Sequence, residues 1–162
     1  MKPVLYMMCG LPGSGKTTWA KNYMKRDAGE TIRYISRDEI RFHLLKENED
    51  YFSHEKEVFT NFSKIIAHAL DDGFDVIADA THLNKKSRQK LIRALTNYSI
   101  DFDIICVCPQ ASFVTCMERN NLRKGRAFVP PTNMISMQKN FETPSIEEDS
   151  HIIEIWSIRS KI

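Results

Sequence analysis

The sequence predicts an α/β protein in three layers, with a mostly parallel five-stranded sheet between helices. Three observations lead there. Short apolar runs alternate with amphipathic stretches along the chain. The first run, Val4 to Cys9, feeds a glycine-rich turn. A helical pattern leaves that turn. Strands alternating with helices form parallel sheets, because each crossover helix packs back on a face of the sheet.

The elements follow in order. Val4–Cys9 reads as the first strand and Lys16–Lys25 as the helix behind the turn. Arg33–Ile35 reads as a short second strand. A helix from about Asp38 to Leu45 carries Ser36 and Glu39 at capping-box spacing. The polar run Glu47-Asn48-Glu49-Asp50 reads as a loop. Val58, Phe59, Phe62, Ile65, Ile66, Ala69 and Leu70 recur at spacings of three and four, the clearest helical stripe in the chain. Asp72-Gly73 ends it, as glycine ends helices, and Phe74–Ala78 reads as a buried strand. Asn84 caps a basic helix carrying Leu91, Ile92 and Leu95. Ile104–Val107 is a fourth strand, followed by a helix around Phe113, Cys116 and Met117. Pro130-Pro131-Thr132 starts a helix bearing Ile135, Met137 and Phe141. Ile152–Trp156 closes the sheet.

A chain of 162 residues suits one domain, so residues 1–162 are read as a single unit. No run reaches the roughly 18 apolar residues of a membrane span. Met1-Lys2-Pro3 enters a strand without signal-peptide anatomy, so the expectation is a cytoplasmic protein with no membrane partner. Cys9, Cys106, Cys108 and Cys116 lack the spacing of a metal knuckle and read as buried small thiols. A net charge of +2 neither demands nor excludes a nucleic-acid partner.

The turn after the first strand is Gly10-Leu11-Pro12-Gly13-Ser14-Gly15-Lys16-Thr17-Thr18, which fits G-x-x-x-x-G-K-[ST]. Glycines let the backbone curl so that several amides point at one anion, and the helix start adds partial positive charge. Lys16 reaches the β- and γ-phosphates of a nucleotide, and the Thr17 hydroxyl suits Mg²⁺. Gly10, Pro12, Gly13, Ser14, Gly15, Lys16, Thr17 and Thr18 are therefore the expected nucleotide cradle, with ATP and Mg²⁺ as cofactors.

Ligands of parallel α/β sheets sit at the carboxyl ends of strands. The second strand ends at Ser36-Arg37-Asp38-Glu39-Ile40-Arg41, where Asp38 and Arg41 share a helix face. Asp38 can take the proton of an attacking hydroxyl, and Arg41 can hold an anion beside it. Acids at a helix N-terminus also suit its dipole, the plainer reading. The third strand ends at Asp79-Ala80-Thr81-His82-Leu83-Asn84. Asp79 stands where such enzymes place the acid for Mg²⁺. Thr81 and Asn84 are in reach of a substrate, although Asn84 also caps. His82 reads as exposed or locally hydrogen-bonded rather than catalytic.

Arg119, Arg123, Lys124 and Arg126 cluster in Arg119-Asn120-Asn121-Leu122-Arg123-Lys124-Gly125-Arg126. Two readings stand: a solvated helix end, or a helical lid over about residues 119–130. In the lid reading Arg119 stacks on adenine, while Arg123 and Arg126 neutralise phosphate oxygens. Lys85, Lys86, Arg88, Lys90 and Arg93 wrap the basic helix as a solvated face, or else form a groove tracking a polynucleotide.

Together GLPGSGKTT, SRDEIR, IADATHLN and ERNNLRKGRAFVP resemble the P-loop kinase branch that contains bacteriophage polynucleotide 5′-hydroxyl kinase. Zeta-toxin-type sugar-nucleotide kinases lie nearby. The resemblance spans roughly Val4 to Phe141 and implies a P-loop NTPase fold. It implies that Lys16 and Thr17 bind ATP and Mg²⁺, and that Asp38 is the general base. It also implies that Arg41 contacts the acceptor's phosphate, Arg123 stabilises the transferring group and Asp79 is the metal acid. The chain departs from that branch by one extra residue between Asp79 and Asn84 and one before Val129-Pro130. The phage enzyme's phosphatase domain has no counterpart before Ile162, so end healing is expected to need a separate partner.

The expected activity is phosphoryl transfer from ATP to a hydroxyl acceptor, foremost the 5′-hydroxyl of a nucleic acid. A nucleoside, sugar or sugar nucleotide is the alternative acceptor. A nucleotide-dependent binding or ATPase module is a third reading. A guanine-type switch is disfavoured, because Asn84-Lys85-Lys86-Ser87 lacks the aspartate of N-K-x-D.

Overall fold

The computed structural model describes residues 1–27 and 30–159. The end of the single unit expected over 1–162 therefore lies outside the described residues. Five strands, β1 (Val4–Met8), β2 (Ile32–Ser36), β3 (Asp75–Asp79), β4 (Asp103–Pro109) and β5 (Ile152–Ile158), form one sheet in the order β2-β3-β1-β4-β5. Every neighbouring pair is parallel. The helices are α1 (Lys16–Lys25), α2 (Arg37–Leu44), α3 (Glu55–Asp71), α4 (Lys85–Thr96), α5 (Phe113–Asn121) and α6 (Pro131–Asn140).

The sheet carries a core on each face. On one face α3 and α4 bring Phe62, Ile66, Leu70, Leu91, Ile92 and Leu95 against Leu5, Met7, Val76 and Ile104. On the other, α1 packs Ala20, Trp19 and Tyr23 against Tyr6, Met8, Ile77 and Val107. In β1, β3 and β4 successive residues alternate between the two cores, so both kinds of position are apolar. That explains why these strands read as unbroken apolar runs.

Several expectations shift. The second strand is longer than Arg33–Ile35, because all of Ile32–Ser36 pairs with Asp75–Asp79. Ser36 Oγ accepts the Glu39 amide, the N-cap half of the expected box. The reciprocal box lies instead at Asn84 and Ser87. The segment expected as a helical lid, about residues 119–130, is not helical through its length. After α5 the chain makes one 3₁₀ turn, Gly125–Ala127, and then runs extended to Pro130. Helix α6 buries Met134 and leaves Ile135 exposed, while Phe141 lies just past its end in extended backbone. The apolar face expected there is therefore a different one.

Two further residues differ. His82 is buried, at φ 39°, and its Nδ1–H donates to Met8 O at 2.5 Å. Arg88 is wholly buried rather than solvated, paired with Glu148 through Nε at 2.9 Å and Nη2 at 2.7 Å. It also donates to His82 O at 2.8 Å, which ties the turn after β3 to α4. All four cysteines are buried free thiols.

Candidate active site

The glycine-rich turn joins β1 to α1 at the carboxyl edge of the sheet. Its curl depends on Gly13 at φ 82° and Gly15 at φ 99°, a region that L side chains rarely adopt. A Cβ on Gly13 would also meet Cys116 O at 2.6 Å, so the turn lies directly against α5. Helix α1 starts at Lys16, with first-turn amides that have no acceptor within the helix.

Lys16 folds back over the turn and donates to Gly10 O at 2.9 Å and Leu11 O at 3.0 Å. Burial lowers its pKa, and Asp79 partly opposes that shift. A desolvated ammonium held only by carbonyls attracts a polyanion strongly, since anion binding restores its charge balance. Ser14 Oγ is buried without a hydrogen-bond partner among the described residues. An orphaned hydroxyl inside such a turn fits a phosphate oxygen. Pro12 is buried and lacks an amide, so it contributes shape only. Gly10 spends its amide on Thr81 O at 3.0 Å.

The end of β3 brings Asp79 to the same place. Its Oδ2 accepts from Thr17 Oγ1 at 2.7 Å and from the Tyr34 hydroxyl at 2.5 Å. Burial and this carboxylate push the Tyr34 pKa upward, so its proton stays on the oxygen. A hydroxyl and a carboxylate beside a phosphate cradle form a hard-oxygen donor set, which suits Mg²⁺.

The end of β2 supplies Asp38 at the start of α2. Its carboxylate is half exposed, and its Oδ1 accepts from Arg41 and from the Tyr51 hydroxyl, the latter at 2.6 Å. Arg41 is buried and binds Glu55 through Nε at 2.8 Å and Nη2 at 2.6 Å. Tyr51 and Glu55 escaped the sequence reading, as did Tyr34. The only signal for Glu55 was an acid in the first turn of a strongly periodic helix.

From α5, Arg119 donates to Gly13 O at 3.1 Å, and Arg123 lines the same cleft. That cleft has a volume of about 550 Å³ and runs from Gly13–Thr18 past Trp19 and Asn22 to Arg119, Arg123 and Ile158. The charges acting on Lys16 are Asp79, Arg123 and Asp38. The turn after β1, the end of β3 and the segment after α5 thus meet at one cleft, and Asp38 at the end of β2 acts on the same ammonium.

Other predicted residues lie elsewhere. Arg126 donates to Leu45 O and Lys46 O at 3.3 and 3.0 Å, capping the end of α2 rather than lining the cleft. Asn84 caps α4, its Oδ1 accepting the Ser87 amide at 2.9 Å. Thr81 is half-buried and meets the loop through its carbonyl. Arg41 faces Glu55 and Asp38 rather than open cleft.

The sequence profile of a family described as "AAA domain" matches residues 5–144. An L-seryl-tRNA(Sec) kinase from Methanococcus maripaludis is 28% identical over 145 residues, covering 87% of this chain and 53% of that protein. The structure of a Pnkp1/Rnl/Hen1 RNA repair complex contains a chain with TM-score 0.71 and 21% identity, covering 85% of this chain and 43% of the other. Kti12 from Chaetomium thermophilum, in complex with ADP-AlF3, gives TM-score 0.65 and 19% identity, covering 95% of this chain and 89% of that one. At those identities the two structures establish the fold. The chain spans about half the length of the curated relative it matches. No helix among the described residues is long and apolar enough to cross a membrane.

Proposed function

This chain belongs to the AAA domain family and is a P-loop protein of kinase type; from that premise we propose an ATP-dependent kinase phosphorylating the 5′-hydroxyl of a polynucleotide. The observation that carries the reading is that Asp79, bonded to Thr17, and Arg123, lining the same cleft as Lys16, meet at the glycine turn, with the charge of Asp38 also acting on that ammonium. A phosphoryl transfer needs a cradle, a hydroxyl-activating carboxylate and cations for the developing charge.

The chain's residues divide that work. The glycine turn, Ser14 and Lys16 hold the β- and γ-phosphates. Asp38 accepts the acceptor's proton as the hydroxyl oxygen bonds to the γ-phosphorus and the bond to the β-phosphate oxygen breaks, leaving ADP. Arg123, with Arg119 beside it, balances charge on the transferring group. Thr17 and Asp79 would hold Mg²⁺, which when bound supplies charge neutralisation at the β- and γ-oxygens. We take residues 1–162 as one kinase unit working in the cytoplasm, with a lid over about 119–130.

Two observations support a nucleic-acid acceptor. The archaeal relative is a kinase named for L-seryl-tRNA(Sec). Lys86, Lys90 and Arg93 are exposed in one row on α4, and Lys90 shares the Phe59 ring with Arg37, the neighbour of Asp38. That row suits the phosphates of a strand entering at Asp38. Arg41 favours a second reading, a small neutral acceptor such as a sugar or nucleoside. Four of its N–H groups are already engaged by Glu55, Asp38 and Tyr51.

Transfer of labelled γ-phosphate to a panel of 5′-hydroxyl oligonucleotides, nucleosides, sugars and sugar nucleotides decides between them. Oligonucleotide labelling with a KM rising steeply with salt is the expected result. Labelling of a small acceptor alone overturns the polynucleotide assignment. ATP turnover indifferent to every acceptor overturns the kinase.

A further inference from the structure

Asp38 does not stand alone at the start of α2. Its Oδ1 takes hydrogen bonds from Arg41 Nη1 and from the Tyr51 hydroxyl, whereas Oδ2 has no partner among the described residues. Tyr51 also accepts from Arg41 Nη1 at 2.7 Å, and the Arg41 guanidinium lies 4.3 Å from the Tyr51 ring centroid. The three groups thus form a closed triangle around one carboxylate oxygen.

Behind the triangle stands Glu55. Its two oxygens grip Arg41 Nε and Nη2 in a fork, a geometry that fixes the guanidinium plane. Arg37 Nη2 lies 3.5 Å from the same carboxylate. Glu55 occupies the first turn of α3, where the helix dipole favours an anion. Arg41 itself is buried, so without Glu55 its charge would lack its main partner.

We propose that Glu55 and Tyr51 are positioning residues for phosphoryl transfer: Glu55 clamps Arg41, and Arg41 with Tyr51 pins Asp38 so that Oδ2 faces the acceptor hydroxyl. The inference rests on the assignment of Asp38 as the base. It revises the role of Arg41, whose engaged donors make it an internal brace first and an acceptor contact second. A carboxylate free to rotate would present its basic oxygen in only a fraction of encounters, and misplacement of about 1 Å already costs about 10²-fold in such reactions.

The test uses Glu55→Gln, Tyr51→Phe and Asp38→Asn singly, and Glu55→Gln combined with Asp38→Asn. The acceptor is whichever the panel identifies, and basal ATP hydrolysis is read alongside. Glu55→Gln keeps the shape of the side chain, and Tyr51→Phe removes one hydroxyl without emptying the pocket. Each is expected to lower kcat by about 10- to 100-fold, the range for a base that is present but loose, with KM for ATP unchanged. In the Asp38→Asn background, Glu55→Gln is expected to cause no further loss, because groups acting through one another are non-additive. An equal fractional loss in both backgrounds, or wild-type kcat in both single variants, overturns the inference while leaving Asp38 as base. Normal turnover by Asp38→Asn overturns that assignment and the inference with it.

Discussion

Thr17 Oγ1 donates to Asp79 Oδ2 at 2.7 Å, which ties the first turn of α1 to the end of β3. The bond lies across the junction of two parallel neighbours, since β1 and β3 pair directly. Tyr34, reaching over from β2, donates to the same oxygen. The two hydroxyls differ in what they are free to do. Thr17 sits in the phosphate turn, whereas Tyr34 is held outside it on a strand. Asp79→Asn is therefore expected to raise the Mg²⁺ concentration for half-maximal turnover by about tenfold or more. Tyr34→Phe should raise it less, since it only orients the carboxylate. Titration of turnover against Mg²⁺ checks both, and equal effects would contradict the division of roles.

Arg123 and Arg126, both in the segment after α5, separate in the same manner. Arg123 lines the cleft and acts on Lys16, whereas Arg126 caps the carbonyls of Leu45 and Lys46. Removing a cation that meets developing charge costs about 10²- to 10³-fold in kcat. Arg123→Ala should show that loss. Arg126→Ala should stay within about fivefold, on the scale of a lost helix-end interaction. Steady-state kcat at saturating ATP distinguishes them. A larger loss at Arg126 would mean that the lid rearranges when nucleotide binds.

Helix α4 carries two kinds of cation. Arg88 is fully buried on Glu148, and breaking a buried pair from one side costs about 3–5 kcal/mol. Arg88→Ala is accordingly expected to lower stability by that amount in urea unfolding. Lys86→Ala, Lys90→Ala and Arg93→Ala should change stability by less than about 0.5 kcal/mol each. If the acceptor is a polynucleotide, the triple variant should weaken its binding and flatten the salt dependence by up to about three phosphate contacts. Unchanged oligonucleotide KM in the triple variant would remove α4 from the acceptor path.

How far the sequence could be read depended on the range of the interaction. The cradle was legible because its glycines, lysine and threonine are contiguous and their function is backbone curvature. The strands β1, β3 and β4 were legible because both faces are buried, and α3 because its stripe is regular. Arg88 carried a signal that was available: it lies three, four and seven residues before Leu91, Ile92 and Leu95, on their buried face. Tyr51 carried none and Glu55 only an acid at a helix start, since their partner Arg41 lies across a polar loop whose path no local pattern sets. The cation cluster after α5 suggests a helical lid, yet the stretch between α5 and α6 has no apolar stripe to hold a helix against the core. The same absence of periodicity hid which side of α6 would be buried, and only the fold selects Met134 over Ile135.

His82 links the fold to pH. It sits after β3 in left-handed backbone, buried against Phe62, with Nδ1–H spent on Met8 O. Its Nε2 is buried with no hydrogen-bond partner among the described residues, so a second proton there would meet no acceptor among them. Burial, the largest cause, lowers its pKa to about 3, with the nearby cations Arg37, Lys16 and Arg88 adding to the effect. In the unfolded chain the ring titrates at about 6.5. Between those values the unfolded state binds a proton that the folded state refuses, so stability rises with pH across the window and falls on acidification. From pH 7 to pH 5 the loss due to this group is about 2 kcal/mol, at about 1.4 kcal/mol for each pH unit below 6.5. Asparagine tolerates left-handed backbone, so His82→Asn is a usable variant. It should be less stable than wild type at pH 7, because the ring's packing is lost. Its further loss on going to pH 5 should be smaller than the wild-type loss by about 2 kcal/mol. Urea unfolding of both proteins at the two pH values measures that difference directly, and equal losses would place the acid sensitivity in the carboxylates instead.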